Sequence, residues 1–129
     1  KSFKEILDKI KNYSKDAPMY WIYARGWDQN DWDLKEYPNK KELDKLFTTR
    51  PVFLKRVDGH AAIVNQVALD LFGINKKTKV KGGSVELKDG KLTGILLDNA
   101  MDLVDKKIPI ISDSLAKKYY KVISISKLL

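Results

Sequence analysis

The chain has 129 residues, 43% of them hydrophobic, which suits one domain with a modest core. Cysteine is absent, which excludes a disulfide, a thiolate metal site and a cysteine nucleophile. The formal charge is +8, yet only Arg25, Arg50 and Arg56 among the 25 basic residues are arginines. Lysines alternate with acids in Lys4-Glu5, Asp8-Lys9 and Asp44-Lys45. That pattern makes a solvated surface; a nucleic-acid groove leans on arginine's bidentate fork.

No apolar run is long enough to cross a bilayer, and there is no secretory signal pattern. A cytoplasmic protein is expected. The chain starts on Lys1-Ser2-Phe3 and stops in mid-pattern at Lys127-Leu128-Leu129, so both ends are expected to be cut from something longer.

Apolar groups at Phe3, Ile6, Leu7, Ile10 and Tyr13 make one helical face over residues 2–15, with Ser2 as N-cap. Asp16-Ala17-Pro18 ends that helix. Met19 to Ala24 is aromatic and compact and reads as a strand, followed by a Gly26-Trp27-Asp28 turn. A polar loop over residues 28–39 holds Trp32 and Pro38. Asn39 then caps a short helix through Leu43, Leu46 and Phe47.

Pro51 opens a second strand, Val52 to Val57. It runs into an Asp58-Gly59-His60 turn and, by the spacing of Val64, Val67, Ala68, Leu71 and Phe72, straight into a helix that stops at Gly73. A lysine loop over residues 75–83 follows. Alternation about Asp89-Gly90 predicts a hairpin from Ser84 to Ile95. Asp98 starts a helix through Met101, Leu103 and Val104. Pro109 breaks the pattern, and a last helix from Ser112 or Ser114 buries Leu115, Tyr119, Val122 and Ile123. The order indicates an α/β or α+β lobe with a small mixed sheet and flanking helices. It is too short for an eight-stranded barrel, which typically takes roughly 250 residues.

Three constellations stand out. Asp58 and His60, the only histidine, could orient each other, bind a metal or move a proton. The same residues, with Gly59, also suit a plain tight turn. Gly26-Trp27-Asp28-Gln29 with Trp32 could line a pocket or cover the core edge. Asp98 is either a helix cap or a ligand-facing carboxylate. Gly82-Gly83 lacks the spacing of a phosphate loop. A Ser/His/Asp triad could use only His60, and Gly-x-Ser-x-Gly is absent.

Several segments together resemble amidohydrolase family 3, the YtcJ-like branch of the metal-dependent amidohydrolases. They are Gly26-Trp27-Asp28; Pro38, Leu43-Asp44 and Arg50-Pro51-Val52-Phe53-Leu54; Arg56-Val57-Asp58-Gly59-His60-Ala61 with Asn65, Ala68-Leu69 and Gly73-Ile74; and Gly82-Gly83, Thr93-Gly94-Ile95-Leu96-Leu97 and Asp98-Asn99-Ala100. Their order and spacing hold over about residues 3–105.

The resemblance implies a parent enzyme with a metal-bearing (β/α)8 barrel that hydrolyses C–N, amide-type bonds through a metal-activated water. The divalent metal is usually zinc. Its His-x-His pair and further histidines do not occur here, so the chain resembles the lobe after the first barrel strand, catalytically incomplete alone and holding no metal ligand. Residues 1–129 are then one partial domain that covers the substrate site. The resemblance puts His60, supported by Asp58, on the substrate side, with Gly26, Trp27, Asp28, Gly59 and Asp98 as substrate contacts. The implied partners are the missing barrel and a small amide-type substrate, with no nucleic acid or membrane. An exposed docking face would favour self-association. The alternative is a stand-alone binding module without activity, using Trp27, Trp32 and lysines.

Overall fold

The computed structural model describes residues 2–15, 22–32, 35–105 and 122–125. Helix α1 (Phe3–Ser14) starts where Ser2 Oγ accepts the Glu5 N–H at 3.2 Å. Strand β1 is Ile22–Trp27, and Asp28 caps a single 3₁₀ turn after it. Helix α2 (Lys40–Leu46) starts at Asn39, whose side chain accepts the Lys41 N–H at 2.9 Å. Next come β2 (Val52–Arg56), β3 (Ala61–Val64) and α3 (Gln66–Leu71). The hairpin β4 (Gly83–Lys88) and β5 (Lys91–Asp98) turns at Asp89 and Gly90, whose φ values of +55° and +76° fit a type I′ connection. A 3₁₀ turn (Asn99–Met101), the one-turn helix α4 (Asp102–Asp105) and β6 (Val122–Ser124) complete the described chain.

The strands form one mixed sheet in the order β4-β5-β3-β2-β1-β6. β1 runs parallel to β2 and β6; the other neighbours are antiparallel. Alternating side chains feed two cores. Ile22, Ala24, Leu54, Ile63 and Ile95 meet Phe3, Ile6, Leu7 and Ile10 of α1 and Leu43 of α2. Tyr23, Phe53, Ala62, Val64 and Leu96 meet Ala68 and Leu69 of α3 and Met101 and Val104 beyond β5. The architecture is therefore α/β, with a mixed sheet between two helical layers. A fully buried leucine such as Leu54 contributes about 1.5–3 kcal/mol by leaving water.

Three expectations change. The segment after His60 is a strand, not a helix. Ala61, Ala62, Ile63 and Val64 are all buried because both sheet faces are covered there, and such a run carries no alternation to distinguish it from a helix. The helix waits for Asn65, whose Oδ1 accepts the Ala68 N–H at 3.1 Å. At the other end, residues 122–124 pair with β1 as a strand where a helix burying Val122 and Ile123 was expected; residues 112–121 lie outside the described residues. The helix expected from Asp98 is reduced to the 3₁₀ turn and α4.

Strand β1 also continues past Ala24 to Trp27, while its expected start at Met19 lies outside the described residues. Gly26, at φ +114°, is an extra residue where the register slips between Arg25 and Trp27. The bulge turns Trp27 onto the face of Ile22 and Ala24. Trp27 is fully buried and donates from Nε1 to the Leu54 carbonyl at 2.7 Å. Its ring stacks at 5.9 Å on Trp32, which packs at 5.5 Å on Phe3. Beneath this stack, Ser2 and Ile125, near the two ends of the described chain, line one small crevice with Gly26 and Asp28.

Candidate functional site

The carboxyl ends of β1, β2 and β5 and the start of β3 lie along one edge of the sheet. The residues singled out in the sequence collect there. Asp58-Gly59-His60 forms the tip of a β2–β3 hairpin and not a strand-to-helix turn. The Gly59 N–H bonds to the Arg56 carbonyl at 2.9 Å, and Gly59 takes φ +78°, a conformation that favours glycine although a Cβ would meet open space. Val57, at the same tip, is 54% exposed.

Asp58 is bound on several sides. Arg56 donates from Nε to Oδ1 at 3.0 Å and from Nη2 to Oδ2 at 2.7 Å, a bidentate pair. Oδ1 also accepts the backbone N–H of His60 at 2.9 Å. The Arg56 hydrogen bonds hold the Asp58 carboxyl below the usual carboxylate range, and the pairing raises Arg56 in return. Arg56 is fixed from behind: its guanidinium lies 5.6 Å from the Tyr37 ring and 6.0 Å from the Trp27 ring, and Nη1 donates to Tyr37 Oη at 3.2 Å. Asp58 thus fixes the backbone at His60 and does not bond its ring.

The ring faces a different carboxylate. β3 and β5 pair Ala61 with Leu97, so the next pair outward is His60 and Asp98, joined by an Asp98 N–H to His60 carbonyl bond of 3.0 Å. His60 Nδ1 lies 3.4 Å from Asp98 Oδ1, with the two side chains 72% and 59% exposed. Asp98 occupies the N-cap position of the 3₁₀ turn, but its side chain makes no capping bond.

The other expected contacts divide. Asp28 Oδ1 accepts the Asn30 N–H at 2.9 Å and closes its turn. Gly26 acts through its bulge and Trp27 belongs to the core, so of the two readings of this cluster the burial of Trp27 matches the core one. Arg56 and Tyr37 had no assigned role in the sequence. The available signal was spacing: Arg56 and Asp58 are two apart at a strand end, where side chains share a face. Gly83 pairs with Asp98 and could carry no Cβ, which would fall 2.4 Å from the Ala100 nitrogen.

The donor set does not fit a catalytic metal. Zinc catalysis generally takes three protein ligands. Among the described residues no group of three histidine, cysteine, aspartate or glutamate side chains could hold an ion. Also among them, no helix is long and apolar enough to cross a membrane.

Comparison with known proteins agrees with the resemblance drawn from the motifs. The profile described as "Amidohydrolase family" matches residues 1–123. The Bacillus subtilis (strain 168) protein "Putative amidohydrolase YtcJ" is 40% identical over 110 residues, covering 83% of this chain and 21% of the relative. The Arabidopsis thaliana "Protein LONG AFTER FAR-RED 3" is 34% identical over 103 residues, 78% of this chain and 17% of its own. The crystal structure of an uncharacterized metal-dependent hydrolase from Pyrococcus horikoshii OT3 superposes with a TM-score of 0.57 at 28% identity, over 83% of this chain and 19% of that one. One from Pyrococcus furiosus gives 0.57 at 27%, over 81% and 19%. The chain therefore spans about a fifth of the length of these relatives. It belongs to the amidohydrolase family.

Proposed function

We propose that this chain is the lobe of a metal-dependent amidohydrolase that covers the substrate site, and that the complete enzyme hydrolyses C–N, amide-type bonds of a small molecule. The observation that carries this reading is the sheet edge where His60, Asp98 and the Arg56–Asp58 pair meet, a polar group set suited to binding or proton transfer. The family match over about a fifth of its relatives' length supports it. The divalent metal, zinc by family expectation, would be held by residues outside this chain.

In this reading His60 is a substrate-side group and Asp98 its neighbour, while Asp58 and Gly59 shape the hairpin tip that presents it. Gly26 and Asp28 shape the adjoining rim, and Trp27 backs it from the core. Val57 at the tip meets the barrel. With no barrel in contact, this face is open to self-association. The enzyme is cytoplasmic and acts on neither nucleic acid nor membrane.

A chimera tests this: the chain replaces the matching segment of the Bacillus subtilis relative, and amide hydrolysis is followed with zinc present. The isolated chain should bind no stoichiometric zinc and turn over no substrate. The chimera should be active, and His60→Ala should lower its kcat/KM by about 10²–10⁴ if His60 moves a proton. Stoichiometric zinc binding by the isolated chain, or full activity of the His60→Ala chimera, overturns the reading.

A further inference from the structure

We propose that Asp98, and not the sequence neighbour Asp58, is the positioning residue for the His60 ring. Its carboxylate accepts from Nδ1 and holds the neutral imidazole as the Nδ1–H tautomer, which leaves Nε2 as the acceptor presented to substrate. The proposal rests on the preceding reading that His60 faces substrate.

Three observations carry it. The first is the disposition of the two carboxylates. Both oxygens of Asp58 are engaged, Oδ1 by Arg56 Nε and the His60 N–H and Oδ2 by Arg56 Nη2. Asp98 Oδ1 stands 3.4 Å from Nδ1.

The second is backbone strain. Asp98 sits at φ +49°, ψ −124°, a region that suits glycine. Among the described residues only Asp89 shares a positive φ with it outside the glycines, and Asp89 is accounted for by its hairpin turn. Asp98 has no such turn, and its side chain caps nothing. In this conformation the carboxylate oxygen Oδ1 lies 3.4 Å from Nδ1 of the His60 ring.

The third is that the surroundings over-determine this conformation. The Asp98 N–H is tied to His60, and the Asn99 N–H bonds to the Gly82 carbonyl at 3.2 Å. Asn99 Nδ2 donates to the Lys81 carbonyl at 3.1 Å. Gly83 is wedged against the backbone of Leu97, Asn99 and Ala100.

The chemistry follows from the ring's two nitrogens. In a neutral imidazole one nitrogen donates and the other accepts, and the partner of one decides the state of the other. A carboxylate at Nδ1 fixes the proton there.

Long-range ¹H–¹⁵N correlation of the full 129-residue chain, at a pH where the imidazole is neutral, reads the tautomer directly from the two ring-nitrogen shifts. The wild type should show the protonated shift at Nδ1 and the acceptor shift at Nε2. Asp98→Gly tolerates the backbone conformation but removes the acceptor, and should move the proton to Nε2. Asp98→Asn keeps an oxygen and accepts φ > 0, and should retain the Nδ1–H form in part. Asp58→Asn should leave both shifts unchanged. A wild-type ring protonated at Nε2, or a tautomer that changes in Asp58→Asn and not in Asp98→Gly, overturns the proposal. The tautomer is read without barrel or substrate, so its failure is separable from failure of the chimera.

Discussion

Asn65 Oδ1 accepts the Val52 N–H at 3.0 Å, so a single buried side chain ties the start of β2 to the end of β3. The same oxygen caps α3 through Ala68, and Nδ2 donates to the carbonyls of Phe47 at 3.1 Å and Arg50 at 2.8 Å. All four hydrogen-bonding positions of the amide are filled at zero exposure. Asn65→Ala leaves those backbone groups buried and unpaired and should cost about 3 kcal/mol. Asn65→Asp keeps the acceptors but points oxygen at two carbonyls, and should recover little. Urea unfolding of both variants checks this; a loss below about 1 kcal/mol for Asn65→Ala contradicts it.

Gly94 should tolerate no side chain. It takes φ +93° in β5, and a Cβ would fall 2.6 Å from the Val64 carbonyl oxygen and 2.7 Å from Lys40 Cβ. Strain and overlap add, so Gly94→Ala should destabilise by about 2 kcal/mol or more. By contrast, a Cβ at Gly59 meets nothing, and Gly59→Ala should lose only the cost of its positive φ, about 1 kcal/mol. Thermal melts of the two variants should fall in that order.

The Arg56–Asp58 pair makes a pH-dependent contribution whose sign is fixed. The folded carboxyl lies below its unfolded value of about 3.9, so its stabilisation is present above that pH and is lost as pH falls through the folded value. Asp58 is 44% exposed, and solvent screening limits the effect to about 1 kcal/mol. Arg56→Lys keeps the charge but loses the fork and the stacking on Tyr37 and Trp27. Stability measured from pH 6 down to 2 should then fall less steeply than in the wild type; an unchanged slope refutes the pairing.

His60 should separate stability from function. Its side chain is 72% exposed, so His60→Ala should shift unfolding by no more than about 0.5 kcal/mol. The same substitution in the chimera is expected to remove most turnover. A large loss of stability would make His60 a structural residue of the hairpin.

Local signals in the sequence carried the elements whose cues are local. Ser2, Asn39 and Asp89-Gly90 mark α1, α2 and the β4–β5 hairpin where they occur. β3 was hidden because Ala61 to Val64 is buried on both faces, and the later spacing from Val64 to Phe72 imitated one continuous helix; Asn65 was the cap that divided them. The site was legible as single residues. Its pairing was not, because His60 and Asp98 are 38 positions apart and meet only through the register of β3 on β5. Adjacency in sequence favoured Asp58 as the partner of the ring, while the fold gives Asp58 to Arg56.

The shared crevice of Ser2 and Ile125 has a topological consequence. Two segments that far apart in sequence and that near in space can be joined by a short connection without disturbing the sheet between them. It also invites rewiring. A short Gly/Ser bridge from Ile125 to Ser2, with new termini opened at the Asp89-Gly90 turn, should give a circular permutant that keeps the six described strands.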